Sequence, residues 1–513
     1  MRKKERKTAP PETVLNASEN EPGQSKLVAL SFSILLFVAL LIWVFITLWF
    51  SGGNFMGAFT GKETLSTIAL IGVLLFLLAA LYAFSYNNAP EKSRVKVLIL
   101  IGVVVLISTI LCTICADVLN VYAMPISLCA VLLCLLVNMK VALAGNVVLS
   151  QILLIVFMIK TPFSSEAMTN LAASIFCNTM SGFVLLFLLS RNYTRIKFIL
   201  VGLIAGLVMS PFAAIVTVAA HSTGLDILYN SIWVFVANVI SVVLYMPLLP
   251  IFESIFNMVT DFKLDELCSF SQPLLKRLSV EAPGTFNHSL IVGNLAENCA
   301  IAVGENPHLA RAGGYYHDVG KLKTPEFFVE NQMRGINPHD ELIPEVSVSM
   351  ITKHTKNGAA LIREARLPEE LAQIALQHHG TSPVNYFYYK AQKITEGNLA
   401  DDEYCYDGPK PQTKIAAIIM ICDTVEAAAR AVSPDSREQL MDLIDKLVKD
   451  KLDHGQFDEC SITMNDIRLI KETIADILPS VNHARINYKN KCLKFTTPTR
   501  KAKNLSKKFT KPR

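Results

Sequence analysis

His317-Asp318-Val319-Gly320-Lys321 closes a stretch, 307–318, whose apolar residues recur at helical spacing, and the fold can be read outward from it. An adjacent His-Asp pair sets an imidazole and a carboxylate side by side on the backbone. With both in one pocket, the carboxylate can bridge two cations while the imidazole fixes one of them. His288 lies upstream, and His354, the pair His378-His379 and Asp423 lie downstream. Together with His317 and Asp318 they make seven candidate ligands in a 136-residue window. Nitrogen and oxygen ligands suit iron, manganese and similar divalent ions. A dinuclear site of this kind can activate water for phosphoester cleavage.

The surrounding pattern is helical almost throughout. Segments near 284–303, 307–318, 344–365, 368–379, 411–432, 436–450 and 464–478 carry apolar residues at i, i+3, i+4 spacing. Pro344, Pro368 and Pro411 stand where helices start, and Gly304 and Gly380 where they stop. No alternating run is long enough for a large sheet, and 395–412 reads as a polar loop. The expected fold is therefore all-α, with several helices each bringing one or two ligands to a shared centre, as bundles do. His308, His339, His454 and His483 fall outside this grouping and read as ordinary surface or core residues.

Composition divides the chain. Of 513 residues, 52% are hydrophobic and 18% are charged, against roughly a quarter charged in soluble domains. The apolar excess lies in 27–256, while 257–513 has the balance of a soluble domain. A membrane-crossing helix needs ~20 apolar residues. Eight candidates satisfy this, near 27–50, 66–84, 97–116, 119–137, 141–159, 169–189, 198–220 and 232–252. The first is read as an uncleaved anchor, since its apolar run and its polar leader, 1–26, are too long for a signal peptide. Arg2, Lys3, Lys4, Arg6 and Lys7 place that leader in the cytoplasm. Lys92, Arg94 and Lys96, then Lys140, then Arg191, Arg195 and Lys197 fall on the same side. The opposite loops are nearly neutral. Eight spans then deliver the polar half to the cytoplasm. The spans hold few ionisable residues, so nothing recommends a transporter, and no proton relay or charged pore is evident.

The expected organisation is a leader 1–26, a polytopic membrane bundle 27–256, an amphipathic connector 257–280, a cytoplasmic helical domain 281–488 and a basic tail 489–513. That tail has ten Lys or Arg and no acid, in a chain whose net charge is +5. It reads as a solvated segment, or as one that lies on anionic lipid. Of the eleven cysteines, five lie in apolar spans, where the Cys112-x-x-Cys115 pair reads as packing, and the six of 257–513 show no disulfide spacing, which fits a reducing cytosol for that half. Lys321, after a glycine, is a candidate cation for a phosphate oxygen. Arg430, two turns after Asp423, is a weaker one. Glu426, at i+3 from Asp423, is placed to orient a ligand from behind.

At this point the residues resemble a family. His317-Asp318-x-Gly320-Lys321, flanked by His288 and Asp423, is similar to the HD superfamily of metal-dependent phosphohydrolases. Pro283-Gly284-Thr285, Phe327-Phe328-Val329-Glu330-Asn331-Gln332, Asn337-Pro338-His339-Asp340, His378-His379-Gly380-Thr381-Ser382 and Gly408-Pro409-Lys410-Pro411-Gln412-Thr413-Lys414 extend the likeness. These motifs resemble the seven-transmembrane HD proteins, the PgpH-like cyclic di-AMP phosphodiesterases, over roughly 66–490. The resemblance implies two divalent metals, manganese or iron. His288, His317, Asp318 and Asp423 would hold one, and Asp318 as bridge with His354, His378 and His379 the other. Asp318 and Lys321 would be catalytic, with Lys321 and Arg430 on the substrate, cyclic di-AMP, which is cut to pApA. The implied partners are that dinucleotide and the lipid bilayer of the plasma membrane, with no nucleic acid polymer. A homodimer is compatible with this and not required by it.

Two departures stand out. The 51–65 loop is too short for the extracellular domain usual in the family, and Asn287 replaces a frequent histidine. Alternatives remain: cyclic di-GMP or another nucleotide as substrate, or a nucleotide-binding membrane receptor with little turnover. The cyclic di-GMP subgroup has a Glu after its paired histidines and a Gly-Tyr-Pro signature, where this chain has Gly380 and Pro383-Val384-Asn385-Tyr386.

Overall fold

The computed structural model describes residues 63–482 apart from 89–93, 161–164, 190–194, 221–223, 257, 333–336 and 395–400; before 63 it describes only 31, 35, 38–43 and 46. The leader, most of the 27–50 span and the basic tail with His483 lie outside the described residues. The chain divides into two compact units, Met1–Thr260 and Asp261–Arg513. Among the described residues there is no β-strand, only an isolated bridge between Pro383 and Cys405, so the all-α expectation holds.

The first unit contains α1 (Glu63–Asn88), α2 (Arg94–Val118), α3 (Ile126–Leu136), α4 (Met139–Lys160), α5 (Ser165–Leu188), α6 (Arg195–Ala219) and α7 (Leu225–Phe256). Six of them, all but α3, are long and apolar enough to cross a membrane. The expected span 119–137 is thus corrected: it is a 3₁₀ turn, Val121–Ala123, followed by a helix of 11 residues. Asn120 and Pro125 explain the break. The Asn120 side chain accepts from Tyr122 N–H at 2.7 Å, and Pro125, the N-cap of α3, has no N–H to extend the helix backwards.

The broken segment nonetheless ends level with α1. Asn138, just beyond α3, donates to Asn88 O at the end of α1 (3.3 Å), so α3 finishes on the side where α1 ends and α2 begins. Its irregular start lies deep in the bundle. Ser174 Oγ donates to Val121 O (2.6 Å) and Asn178 Nδ2 to Tyr122 O (3.1 Å), at about 14–20 Å from the start of α5. Ser127 of α3 bonds Ser241 of α7 at 2.9 Å. Irregular backbone at membrane depth is tolerated only where protein satisfies its polar groups. α3 meets that condition, because eight of its residues from Ile126 to Leu133 are buried on every side.

The second unit begins with two short helices, α8 (Asp261–Leu267) and α9 (Pro273–Glu281), within the stretch expected as a connector. Leu264, Leu267, Leu274, Leu275 and Leu278 are buried, and Tyr316 OH donates to Leu267 O at 2.9 Å. Then follow α10 (Pro283–Val303), α11 (Pro307–Tyr316), α12 (Pro344–Glu364), α13 (Glu369–Gln377), α14 (Asn385–Gln392), α15 (Lys414–Val432), α16 (Arg437–Asp453) and α17 (Met464–Asn482). Helix α15 is the axis of the core. Every residue from Ile415 to Asp423 is buried, and the packed cluster includes Val292 and Leu295 of α10, Ile444 of α16 and Ile470 of α17. α10 and α11 cross very closely, because a Cβ on Gly314 would lie 2.4 Å from Gly293 Cα. That crossing carries His288 and His317 to the same end of the domain.

Candidate metal centre

Each ligand-type side chain reaches the centre by a local device. α11 ends at Tyr316, and His317 and Asp318 turn out of it into a 3₁₀ segment, Val319–Lys323. Gly320 presses this turn against α12. A Cβ there would sit 1.9 Å from His354 O and 2.5 Å from Gly358 N, so the glycine is needed for close approach rather than to break a helix. His378 and His379 follow the last residue of α13, before Gly380 takes a left-handed φ of 55°.

All seven residues expected as ligands converge. His288, His317, Asp318, His354, His378 and Asp423 are buried, and His379 is about a fifth exposed. The two carboxylate oxygens of Asp318 look in different directions. Oδ1 lies 3.3 Å from His354 Nε2 and 3.6 Å from His378 Nε2, while Oδ2 lies 3.3 Å from His317 Nε2 and 3.7 Å from His288 Nε2. Asp423 Oδ1 is 2.9 Å from His288 Nε2 and 3.8 Å from His317 Nε2, and its Oδ2 is 3.7 Å from His379 Nδ1. Two groups whose ligand atoms lie within 4.8 Å of one another result: His288, His317 and Asp318, and His354, His378 and His379.

The hydrogen bonds fix which ring nitrogens face inward. His317, His354 and His378 each donate Nδ1–H to a carbonyl three residues back: Gly314 O (2.7 Å), Ile351 O (2.7 Å) and Ala375 O (2.9 Å). With Nδ1–H so engaged, each ring turns its Nε2 inward, where the neutral imidazole offers a lone pair. The Nε2 atoms of His354 and His378 face each other at 3.2 Å, and two acceptors at that distance need a cation to share. His317 Nε2 and Asp318 Oδ1 are buried without a hydrogen-bond partner. Buried orphans are rare and costly. The donor set therefore fits divalent cations. Burial, then His378, holds His379 well below the usual imidazole range, and burial holds His378 down at about 4, so both are neutral near pH 7. Burial works against the charge of Asp318, but His317 and Lys321 outweigh it and keep the carboxyl well below its usual range.

Around the ligands stands a supporting layer. Glu426 takes His288 Nδ1 at 2.5 Å, as its spacing from Asp423 leads one to expect. Lys321 Nζ bonds Asp318 Oδ2 (2.6 Å) and Glu330 Oε1 (2.9 Å) and lies 4.8 Å from the Phe328 ring centroid. Glu330 also accepts from Thr285 Oγ1 (3.0 Å), which ties the 327–331 turns to the start of α10. Tyr406 stacks on the His379 ring at 4.3 Å and 28°. Arg430 is 45% exposed and reaches Glu426 Oε1 at 3.7 Å, so it stands behind His288 at the surface rather than among the ligands. Of the histidines expected to be ordinary, the three that are described have local partners away from the cluster: His308 pairs with Asp265, His454 with Asp450, and His339 bonds Phe327 O.

Sequence reasoning assigned no role to Glu330, Tyr406 or Lys451. Glu330 and Tyr406 sit in turns, where no periodicity marks an inward side. Lys451 sits in a run of alternating charges, Lys449-Asp450-Lys451, that reads as a solvated helix face.

Comparisons with known proteins agree with this geometry. Residues 64–260 match the model of the 7TM receptor with intracellular HD hydrolase, and 285–428 match the HD domain. The cyclic-di-AMP phosphodiesterase PgpH of Listeria monocytogenes serotype 1/2a (strain 10403S) is 36% identical over 430 residues, 81% of this chain and 58% of that protein. PgpH of Bacillus subtilis (strain 168) is 34% identical over 430 residues, 82% of this chain and 59% of that protein. The chain thus spans somewhat under three fifths of the length of these relatives. The crystal structure of the L. monocytogenes PgpH HD domain in complex with cyclic-di-AMP is 46% identical, with 42% of this chain and 99% of that chain covered and a TM-score of 0.40. With its long apolar helices inside the first matching segment and its histidine-aspartate cluster inside the second, the chain belongs to the seven-transmembrane HD family.

Proposed function

We propose that this protein is a membrane-anchored phosphodiesterase that hydrolyses cyclic di-AMP to pApA at the Asp318 centre, with two divalent cations, manganese or iron. The observation that carries the reading is the split of the Asp318 carboxylate between two ligand groups, His288/His317 on one side and His354/His378 on the other. Two cations so held lower the pKa of water and offset charge on a phosphate during in-line displacement. No side-chain nucleophile is then required.

The chain's own residues do the positioning. The carbonyls behind His317, His354 and His378 fix each ring with Nε2 inward, and Glu426 does the same for His288. Asp318 and Asp423 supply negative charge where the cations belong. Lys321 keeps its charge, because Asp318 and Glu330 outweigh the burial that opposes it. Glu330 tethers the ammonium so that an N–H can be given to a non-bridging phosphate oxygen when Asp318 is engaged elsewhere. Arg430, at the surface, is a candidate for an outlying part of the substrate. The named activity of the two PgpH relatives supports the choice of cyclic di-AMP. The basic loops around 92–96, 140 and 191–197 support a cytoplasmic position for the catalytic unit, at the inner face of the plasma membrane.

The test is a direct competition. The full chain in detergent, supplied with Mn²⁺ or Fe²⁺, is given cyclic di-AMP and cyclic di-GMP together, and the products are separated by chromatography. Selective appearance of pApA is the expected result. Tight binding without turnover in metal-loaded protein would instead make it a nucleotide receptor.

A further inference from the structure

Lys451 is the last lysine of α16, and it differs from its neighbours. Lys446 and Lys449 are exposed, whereas Lys451 is partly buried and turned inward. Its Nζ donates to Ser382 Oγ at 2.8 Å. Among the described residues no carboxylate lies within 4.0 Å of it, whereas Lys321 has two such partners. Burial holds the Lys451 ammonium below the usual lysine range, with Asp450 and Asp423 only partly offsetting it.

The groups around this cation are held in place. Ser382 is buried, its N–H donates to His379 O (3.1 Å), and its carbonyl accepts from Tyr406 N–H (3.1 Å). The buried Gln456 clamps the neighbouring turn by accepting from Thr381 N–H and donating to Thr381 Oγ1, both at 3.0 Å. A charged group under-neutralised in a partly desolvated place is unfavourable unless an anion joins it. Here that place adjoins the residues that flank His379. Lys321, by contrast, lies beside Asp318.

We propose that Lys451 and Ser382 Oγ form a second anion subsite, which takes the phosphodiester of a cyclic dinucleotide that is not being cut. The inference rests on the phosphodiesterase reading and sharpens it. One phosphodiester lies at the ligand cluster, and the ring brings the other to Lys451. A site with two such stations prefers cyclic and linear dinucleotides over diesters with a single phosphate.

The test compares two ligands with the same bases. pApA carries one phosphate more than ApA, and each is titrated by calorimetry into the Mn²⁺-loaded full chain in lipid nanodiscs. The wild-type protein is expected to bind pApA about 10-fold or more tighter than ApA, the effect of one charge-assisted hydrogen bond. In Lys451→Met, which keeps the aliphatic length, that preference shrinks towards unity, and Lys451→Arg restores most of it. For cyclic di-AMP the KM of Lys451→Met rises by a similar factor, with kcat changed much less. An unchanged pApA preference in Lys451→Met, or an equal weakening of both ligands, overturns the subsite. If the wild-type chain leaves cyclic di-AMP intact, the functional reading fails, while the pApA-to-ApA ratio still decides the subsite.

Discussion

The membrane unit and the helical domain both bury many polar side chains, and they use them in opposite ways. In the membrane unit most of the bonded ones face backbone, with Ser127–Ser241 an exception. Ser174 and Asn178 satisfy the carbonyls of the 3₁₀ turn before α3, and Asn146 Nδ2 donates to Thr179 O at 3.0 Å. In the helical domain they face one another: the inward-turned Nε2 atoms of three histidines surround a carboxylate that has an orphaned oxygen. Polar groups that cover backbone hold a fold together. Polar groups whose lone pairs converge on common space make a site. The distinction separates glue from chemistry without reference to fold.

The largest test breaks the convergent set. Asp318→Ala removes the group shared by both ligand clusters, and cyclic dinucleotide turnover should fall by about 10³-fold or more. Elemental analysis should show lost metal alongside. Near-normal turnover would mean that the convergence is incidental. Next in size is Glu426→Gln, which weakens the acceptor behind His288 and leaves Asp318 untouched. Metal affinity should drop by ~10–100-fold, measured by competition with a chelator. An unchanged affinity would reduce Glu426 to packing.

The helical domain was largely legible in the sequence. The expected 344–365 and 464–478 segments appear as Pro344–Glu364 and Met464–Asn482, since apolar periodicity and proline starts are local signals. The seven candidate ligands could be picked out because histidines and aspartates set in or just after apolar-periodic segments are conspicuous. What escaped was set by approach in space. Glu330 meets Lys321 only because the 327–331 turns pack on Thr285 and Gly284, and the close contact of Gly320 with His354 O is invisible along the chain. In the membrane unit, hydropathy alone could not separate 119–137 from a full span, because α3 is as apolar as its neighbours.

The glue can be tested in the same terms. Asn178→Leu leaves Tyr122 O without its buried donor, and should lower stability in detergent by about 1 kcal/mol, read from unfolding in mixed micelles. No loss would mean that the turn before α3 is held by packing alone. The smallest effect concerns pH. Asp466 accepts from Thr463 N–H (2.9 Å) at the start of α17 and pairs with Lys414 (3.2 Å). Burial opposes its charge, but Thr463 and Lys414 hold its carboxyl below the usual range. Its contribution is therefore present above the unfolded value near ~3.9 and is lost as pH falls through the lower folded value. Asp466→Ala should cost about 0.5–1 kcal/mol at pH 7, with the difference from wild type fading in denaturant titrations below about pH 3.

The short helix α3 has a consequence for how the protein is made. Eleven helical residues cover about 16 Å, roughly half of a ~30 Å hydrocarbon core, so α3 cannot be released into lipid as a finished span. The groups that satisfy its irregular start come from Ser174 and Asn178 of α5, and Ser127 inside α3 bonds Ser241 of α7, all synthesised later. The packing of this segment is therefore completed only after α7 has been made. Until then it has to wait beside its neighbours, which makes the membrane unit a structure that closes from its C-terminal end.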